Sequence, residues 1–393
     1  MSTRRTYLDH AATSWPKPAQ AVQACVDYQT QLGVAAGRGA YRSSERADQI
    51  VGEVRSAIAG LLGEKNPTTI SFTSNGTMAL HLAIHGFLHE LDLRNTHVVT
   101  TSTEHNSVLR SLASLEKQRG LRWTAVPCDR GGNIDIRALR DAVEPSTRLI
   151  IVNHASNVTG AVQDLVAISE ISRQAGASLL VDAAQSLGLI DIDVNNPHID
   201  MLAAPGHKGL GGMLGTGVLY VRSALSPKLR SPWIGGTGHH SDRLVDEFPW
   251  SESAESGNLN IPAIASLGEG VRWLRGNHDA EKLRLWTDRL IDAVEREKRL
   301  RWIGSKESRE ALSRLQRVPV ISFTHVDLSC HEMAMLLDTT LGIEARSGFH
   351  CAAMIHRYLG TELGGTLRMS LGHTSTDADV DAAIEGIRLL GSC

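Results

Sequence analysis

Two predicted strands of this 393-residue chain lead to ionisable side chains, one to a carboxylic acid and the other to an amine. One apolar run leads directly to Asp182, and the next leads to Lys208. Because ligands of parallel α/β sheets bind outside the carboxyl ends of the strands, one molecule could contact both side chains. Taken singly, Asp182 could be an ordinary buried acid and Lys208 a surface lysine. The combination of these two residues with Gln185 and His207 argues for a ligand-binding site.

This pair of groups suits one cofactor in particular. An amine forms a Schiff base with an aldehyde, and a carboxylate binds a pyridinium nitrogen, so Asp182 and Lys208 favour pyridoxal phosphate (PLP). An ionised Asp182 would keep the ring nitrogen protonated, which makes the ring an electron sink. The sequence therefore predicts a PLP site at this edge of the sheet.

Three other turns at predicted strand ends carry side chains that PLP could use. Gly76 and Thr77 open a helix, where backbone amides and a hydroxyl would bind a phosphate. His105 could stack on a pyridine ring, and Asn157 could donate to its phenolic oxygen. The Gly76–Thr77 turn is equally explained as a common strand-to-helix turn, and Asn157 as part of a polar turn closed by glycine. Taken singly, His105 is better explained as a helix-entry histidine.

The last third of the chain adds a candidate nucleophile and a candidate carboxylate ligand. Cys351 follows Arg346 and His350 in a glycine-containing loop, and positive charge nearby raises the thiolate fraction of a cysteine. Arg368, on a predicted strand, could bind an α-carboxylate through two guanidinium nitrogens. Without further context, Cys351 could equally be a small buried residue and Arg368 part of a rim ion pair.

The composition restricts the class of partner. The formal net charge is −3, which gives no basic footprint for nucleic acid or an anionic membrane. No segment approaches the ~20 apolar residues of a membrane span, and the N-terminus lacks the apolar segment of a signal peptide. We therefore expect a cytoplasmic protein that binds a small molecule. The five cysteines form no Cys-x-x-Cys pair, which argues against a disulfide framework.

Two patterns that suggest other ligands are rejected. His239 with His240, and Cys351 with its neighbouring histidines, lack a second Cys/His pair at zinc spacing, so no metal is expected. The glycine-rich run 211–217 precedes a strand, whereas a dinucleotide fingerprint would open a helix.

The order of predicted elements indicates an α/β fold. Seven strands between residues 69 and 221 alternate with helices, which predicts a mostly parallel sheet covered on both faces. The seventh strand follows a glycine-rich turn without a helix, a connection that allows it to run antiparallel. A long helical region begins at residues 261–262 and precedes a smaller α+β region. We predict a large domain over residues 19–262 and a small domain over 1–18 and 263–393.

Taken in order, five motifs resemble those of class V aminotransferase-fold PLP enzymes. They are Tyr7-Leu8-Asp9-x-Ala-Ala-Thr, Phe72-Thr73-Ser74-x-x-Thr77, Glu104-His105-x-Ser107, Asp182-Ala183-Ala184-Gln185-Ser186 and Gly206-His207-Lys208. The resemblance extends from about residue 7 to about residue 390. It implies PLP-dependent transferase fold type I, with a mostly parallel seven-stranded sheet in a large domain and a small α+β C-terminal domain.

The resemblance also implies roles for residues around the cofactor. Lys208 would carry the Schiff base, Asp182 would bind the pyridine nitrogen, and His105 would stack on the ring. The remaining contacts would be Gln185 and Asn157 with the phenolic oxygen, Gly76, Thr77 and His207 with the phosphate, and Asn258 with the phosphate of a neighbouring subunit. A homodimer follows from the last of these.

A sixth motif narrows the branch of the family. The loop Arg346-x-Gly348-x-His350-Cys351 looks like that of group II cysteine desulfurases and selenocysteine lyases, in which the cysteine takes sulfur from the substrate. This resemblance implies that L-cysteine becomes L-alanine and that Cys351 carries a persulfide for a sulfur-acceptor protein. The implied catalytic residues are Lys208, Cys351 and His105, and the implied substrate ligands are Arg368, Arg346, Asn157 and His10.

Three positions depart from the family pattern and leave other functions open. His10 stands where Asn or Ser is usual, and Pro205 and Asn258 stand where hydroxyl residues commonly bind the phosphate. These changes affect the mouth of the substrate pocket and the phosphate contacts. The alternatives are a cysteine desulfhydrase that gives pyruvate, sulfide and ammonia, a selenocysteine lyase, and a non-catalytic sulfur-carrier scaffold with an unmodified Lys208.

Overall fold

The computed structural model describes residues 5–37, 39–236, 250–304 and 317–393. Its strands are β1 (Thr6–Tyr7), β2 (Ile70–Thr73), β3 (His97–Thr101), β4 (Arg122–Val126), β5 (Thr147–Asn153), β6 (Ser178–Asp182), β7 (Met201–Pro205), β8 (Gly217–Val221), β9 (Leu300–Trp302), β10 (Val320–His325), β11 (Ile343–Glu344), β12 (Arg346–Gly348) and β13 (Thr366–Ser370). Its helices are α1 (Ala19–Asp27), α2 (Arg42–Leu61), α3 (Gly76–Leu88), α4 (Asn106–Arg119), α5 (Ile136–Asp141), α6 (Leu165–Ala175), α7 (Trp250–Ser253), α8 (Ile261–Asn277), α9 (Ala280–Arg296), α10 (Cys330–Leu341), α11 (His356–Leu359) and α12 (Asp377–Ser392).

A seven-stranded sheet in the order β2-β8-β7-β6-β5-β3-β4 forms the centre of the large α/β unit. β8 is antiparallel to both β2 and β7, whereas β7, β6, β5, β3 and β4 are parallel. The predicted α/β fold, with a mostly parallel sheet of seven strands and an antiparallel β8, is confirmed. The parallel strands bring the residues that follow β3, β5, β6 and β7 to one edge of the sheet.

Helices cover both faces of this sheet because its strands are apolar on both sides. On β6, Leu179 and Val181 belong to a core cluster with Ile58 of α2 and Leu267 of α8. Leu180, which points to the other face, belongs to a second cluster with residues of α3 and α4. Successive residues of a strand face opposite sides, so an uninterrupted apolar run indicates a strand buried on both faces.

A second, smaller unit contains a four-stranded antiparallel sheet in the order β12-β13-β10-β9. A third core cluster packs this sheet against α9, α10 and α12 through residues such as Trp286, Met333 and Ile387. β1 pairs with β11 in parallel, which places the start of the chain beside this unit. The predicted α+β character of the C-terminal region is confirmed.

Helix α8 packs on α1 and α2, and its residues Ile264, Leu267 and Val271 belong to the core of the large sheet. The domain bounds 19–262, 1–18 and 263–393 stay a prediction. In the described ranges, the helices are all too short or too polar to cross a membrane.

Candidate active site

The ends of β6 and β7 bring Asp182 and Lys208 together. Asp182 is the last residue of β6, and only 1 % of it is exposed. Its Oδ1 accepts the Ala184 N–H over 2.9 Å, while its buried Oδ2 has no hydrogen-bond partner among the described residues. Burial raises the pKa of Asp182, against the opposing effects of the Ala184 hydrogen bond and the Lys208 charge. Within the described part of the chain, Asp182 Oδ2 is therefore a free hydrogen-bond acceptor that is buried near Lys208.

Lys208 lies three residues beyond β7. Burial and, more weakly, the nearby charge of Arg368 lower the pKa of its amine to about 8, against the opposing effect of the Asp182 carboxylate. A lysine in this range has a substantial neutral fraction near neutral pH, which suits a nucleophile or a general base.

His105 is held in one tautomer at the start of α4. Its Nδ1 accepts the Ser107 N–H over 3.1 Å and lies 2.8 Å from Ser107 Oγ. The neutral ring therefore carries its proton on Nε2. Burial, together with the charge of Lys208, lowers the pKa of His105 to about 4, so the ring is neutral and its Nε2–H is a donor. Ser107 Oγ continues this chain of contacts to Thr77 Oγ1 over 2.8 Å.

The turn before α3 is a candidate cradle for an anion. Gly76 and Thr77 begin this 13-residue helix, whose N-cap Asn75 accepts the Met78 N–H over 2.9 Å. A Cβ at Gly76 would lie 3.1 Å from Pro205 Cδ and 3.2 Å from Pro205 N, so the close approach of the two segments favours glycine. Free backbone amides at a helix N-terminus attract anions.

His207 and Gln185 are both fixed by the N-terminal segment. His207 Nδ1 lies 3.1 Å from Thr13 Oγ1, and burial, followed by the charge of Lys208, lowers the pKa of His207 to about 4. Gln185 Nε2 donates to Ala11 O over 3.0 Å. Both predicted cofactor ligands therefore lie beside Lys208, with their orientation set by residues near the start of the chain.

Asn157 and Arg368 are hydrogen-bonded to each other. Arg368 is 1 % exposed; its Nη2 pairs with Asp9 Oδ1 over 2.5 Å, and its Nη1 donates to Asn157 O over 3.1 Å. Its buried Nε has no partner among the residues described. Asn157 Nδ2 donates to His350 O, and its Oδ1 is buried without a described partner. The guanidinium thus keeps donor capacity for a carboxylate.

Cys351 is exposed in a tightly held loop. Cys351 and His350 have φ values of 59° and 50°, in the left-handed region that non-glycine residues rarely occupy. Cys351 O accepts the Asn106 N–H over 2.7 Å, and its Sγ lies 3.3 Å from Arg346 Nη2. The thiol is therefore accessible and beside a cation.

His350 anchors this loop to β13. Its Nε2 lies 2.9 Å from Thr366 Oγ1 and 3.1 Å from Thr366 O. Burial, with the charges of Arg368 and Arg346, lowers the pKa of His350 to about 2, so the ring is neutral. His350 consequently positions the loop and adds no charge beside Cys351.

Two of the predicted site residues, His10 and Asn258, lie apart from the centre of the site. His10 is buried, with its Nε2 3.3 Å from Ser375 Oγ, and it lines a cavity together with Gln185 and Lys208. Burial lowers the pKa of His10 to about 4. Asn258 is exposed and lines a different cavity, beside Ser74. A single chain does not test its expected role toward a second subunit.

Three further residues contact or neighbour these site residues, although the sequence does not predict them as site residues. They are Asp9, Lys17 and Glu104. Asp9 pairs with Arg368, and Lys17 contacts the segment that carries Lys208. Glu104 is fully buried, and its Oε1 accepts Thr101 Oγ1–H and Asn153 N–H, each over 2.7 Å. Burial, and more weakly the charge of Asp182, raises the pKa of Glu104 to about 8, so it is a neutral acid near pH 7.

Signals for two of these residues are present in the sequence. Asp9 lies inside the first motif that carries the family resemblance, and Glu104 directly precedes His105. Lys17 stands between Pro16 and Pro18 and has no comparable pattern.

The described part of the chain contains no group of three or more His, Cys, Asp or Glu side chains that could hold a metal ion. His239 and His240 lie outside the described residues. Cys351 lies in the loop after β12. His356, one of the histidines near it in sequence, lies at the start of α11, where its Nδ1 contacts Thr361 Oγ1 over 2.7 Å.

Known proteins are similar to this chain over most of its length. The family model described as Aminotransferase class-V matches residues 6–383. A "Probable cysteine desulfurase" of Methanothermobacter thermautotrophicus is 32% identical over 382 residues, covering 95% of this chain and 92% of the relative. A "Cysteine desulfurase IscS" of Anaeromyxobacter sp. is 30% identical over 395 residues, covering 98% of this chain and 91% of the relative.

Solved structures agree with this sequence similarity. The apo structure of a cysteine desulfurase from Thermococcus onnurineus NA1 has a TM-score of 0.90 at 28% identity, covering 99% of this chain and 95% of that chain. The cysteine desulfurase CsdA from Escherichia coli, in its S-sulfonic acid form, has a TM-score of 0.81 at 26% identity, covering 98% and 94%. The resemblance seen in the motifs is confirmed, and the chain belongs to the aminotransferase class-V family.

Proposed function

We propose that this protein is a PLP-dependent cysteine desulfurase that converts L-cysteine to L-alanine and retains the sulfur on Cys351 as a persulfide. One observation carries this proposal: the exposed thiol of Cys351 lies in a loop bonded to the segment that bears His105 and to the strand that bears Arg368. Two relatives of this chain are named as cysteine desulfurases, which supports the same reaction class.

The described residues fit PLP. The unpartnered Oδ2 of Asp182 would bind the ring nitrogen, the Lys208 amine would bind the aldehyde, and the amides of Gly76 and Thr77 would bind the phosphate. When bound, PLP supplies an electron sink for carbanion chemistry at the substrate. The remaining ligands in the proposal are His105 over the ring, Gln185 and Asn157 at the phenolic oxygen, His207 at the phosphate, and Asn258 toward a second subunit.

Arg368 would orient the substrate through its α-carboxylate. Its guanidinium is buried, and its Nε has no described partner, so a carboxylate can add to the Asp9 ion pair. Arg346 adds a second cation near the substrate sulfur, because its Nη2 already lies 3.3 Å from Cys351 Sγ. His10 and Asn157 complete the proposed substrate contacts.

Lys208 and Cys351 would perform the chemical steps. The Lys208 amine removes the Cα proton, for which its lowered pKa of about 8 is suited. The thiolate of Cys351 then forms an S–S bond as the Cβ–S bond of the substrate breaks, and that bond's electron pair remains on Cβ. Protonation of the carbon skeleton gives alanine. His105, the third proposed catalytic residue, is neutral with its proton on Nε2 and would donate a hydrogen bond from that atom.

The proposal includes a sulfur-acceptor protein. Cys351 is exposed, so its sulfur is accessible to such a partner. The homodimer and the cytoplasmic location stay predictions.

The products from L-cysteine test this function. Purified protein loaded with PLP should release alanine, and mass spectrometry after a single turnover should find one added sulfur on the Cys351 peptide. Pyruvate in place of alanine would favour a desulfhydrase, and turnover of selenocysteine alone would favour a selenocysteine lyase. Either result would contradict the proposal, as would protein that does not acquire PLP on Lys208.

A further inference from the structure

Residues 9–18, which we call the N-terminal strap, connect the small sheet to the segment that carries Lys208. At the strap's start, Asp9 pairs with Arg368 over 2.5 Å and bridges the backbone of Ser370. Ala11 N donates to Ser370 Oγ over 2.9 Å, and Ala11 O accepts from Gln185 Nε2 over 3.0 Å. The strap therefore contacts both the proposed carboxylate ligand and a proposed cofactor ligand.

The end of the strap is fixed to the peptide that joins His207 to Lys208. Lys17 Nζ donates to His207 O over 2.6 Å, to Ser14 Oγ over 2.9 Å and to Thr13 Oγ1 over 3.4 Å. The Ser14 N–H donates to the same carbonyl oxygen over 3.1 Å. Four strap groups lie within hydrogen-bond distance of His207 O, since the Thr13 and Ser14 hydroxyls lie 3.1 and 3.2 Å away.

The Lys17 ammonium is held by neutral oxygens only. In the described ranges, no carboxylate forms a salt bridge with it. Lys17 is half-buried, and burial lowers the pKa of its amine to about 8, because neutral oxygens replace only part of the lost hydration of the charged form. Stability alone therefore does not explain an ammonium at this position.

We infer that Lys17 is a positioning residue that holds the His207–Lys208 peptide in register with Arg368 through the N-terminal strap. The inference rests on the proposed function, because it takes Lys208 as the residue that reacts with PLP. The strap makes the distance between the Lys208 amine and a carboxylate on Arg368 depend on Lys17. Misplacement of a reacting group by ~1 Å can reduce a rate by ~10²-fold.

The test compares Lys17→Met with Lys17→Arg and with Lys65→Met, a control at an exposed lysine. Cofactor-free protein is mixed with PLP, borohydride traps the product at intervals, and peptide mapping measures the rate of Lys208 modification. We expect Lys17→Met to slow this rate about tenfold, Lys17→Arg to restore part of it, and Lys65→Met to leave it unchanged.

Two further readouts separate positioning from a merely structural role. In Lys17→Met, kcat for alanine formation should fall about tenfold or more while KM stays within about threefold, because Arg368 still binds the carboxylate. The melting temperature should stay within about 4 °C of the original protein's value. If Lys17→Met does not fold, Lys17→Gln, which is one bond shorter than lysine and uncharged, should show the same fall in the Lys208 modification rate.

The outcomes distinguish the two proposals. If PLP does not modify Lys208 in the unsubstituted protein, the proposed function fails. If Lys208 is modified there and at the same rate in Lys17→Met or Lys17→Gln, with kcat also unchanged, Lys17 has no positioning role and the inference is overturned.

Discussion

Asn106 donates its backbone N–H to the carbonyl oxygen of Cys351 over 2.7 Å, so the thiol loop is attached to the first turn of the helix that His105 caps. The other side of the loop is attached to β13 through His350 and Thr366. The exposed thiol therefore lies in a loop that is fixed on one side to α4 and on the other side to β13.

Removing the thiol should abolish sulfur transfer without removing the cofactor. Cys351→Ala should lower alanine formation by ~10³-fold or more, because the variant lacks the thiolate that forms the S–S bond. Its near-visible absorption band should persist, since Lys208 and Asp182 are intact. The matched control is Cys393→Ala, which removes another exposed cysteine. Alanine formation by Cys351→Ala at the original rate would exclude Cys351 from the reaction.

Shortening the arginine should weaken substrate binding. Arg368→Lys keeps the charge but loses the planar, two-pronged guanidinium, so KM for L-cysteine should rise by ~10-fold or more. Some loss of stability is expected as well, because Asp9 loses its partner. Steady-state kinetics together with thermal unfolding measure both effects, and Arg148→Lys provides a control at an exposed arginine. An unchanged KM would mean that the carboxylate binds elsewhere.

Glu104 should make the folded state less stable at alkaline pH. Its pKa is raised to about 8 in the folded protein, so the folded state holds a proton that the unfolded state releases near its ordinary value of 4.5. The stabilising contribution is complete below pH 4.5 and is lost as the pH rises through about 8. Glu104→Gln should therefore gain stability relative to the original protein between pH 5 and pH 9.

Thermal unfolding of both proteins at pH 5 and pH 9 measures this difference, with Glu362→Gln as a control at an exposed glutamate. A stability difference between Glu104→Gln and the original protein that stays the same at both pH values would show that Glu104 is already ionised.

Asp182 should control the basicity of Lys208. Its carboxylate raises the lysine pKa, in opposition to burial and the Arg368 charge, which lower it to about 8. In cofactor-free protein, the pH dependence of Lys208 labelling by acetic anhydride should have a midpoint near 8. Asp182→Asn should move this midpoint to lower pH. A midpoint that rises, or does not move, would show that the two groups do not interact.

A methyl group at Gly76 should disturb the phosphate cradle. The added Cβ would lie 3.1 Å from Pro205 Cδ, so one of the two segments must move. We expect Gly76→Ala to weaken PLP binding by about tenfold. Gly60→Ala is the matched control, because a Cβ there has no neighbour within 4 Å. Equal PLP affinity in both variants, measured by fluorescence titration, would argue against a phosphate at this turn.

The sequence predicted the parts of the fold and site that depend on local pattern. Runs such as Leu179 to Val181 are apolar on both faces, and a parallel sheet then necessarily brings Asp182 and Lys208 to one edge. The exposed position of Cys351 is consistent with the candidate nucleophile expected from its loop motif.

Contacts between distant segments could not be predicted in this way. Asp9 and Arg368 are 359 residues apart, and Lys17 reaches a carbonyl 190 residues away. No periodicity or spacing encodes such pairs, because the tertiary packing of the strap on two units creates them. Glu104 was missed for a related reason: only burial shows that this carboxyl is a neutral acid beside Asp182.

The most direct test of the proposed function is the fate of sulfur after a single turnover. The PLP-loaded protein is mixed with one equivalent of L-cysteine, and alanine and the Cys351 peptide are quantified in the same sample. The proposal predicts one alanine for each Cys351 that gains a sulfur atom. Alanine or pyruvate formed with an unmodified Cys351 and free sulfide would contradict it.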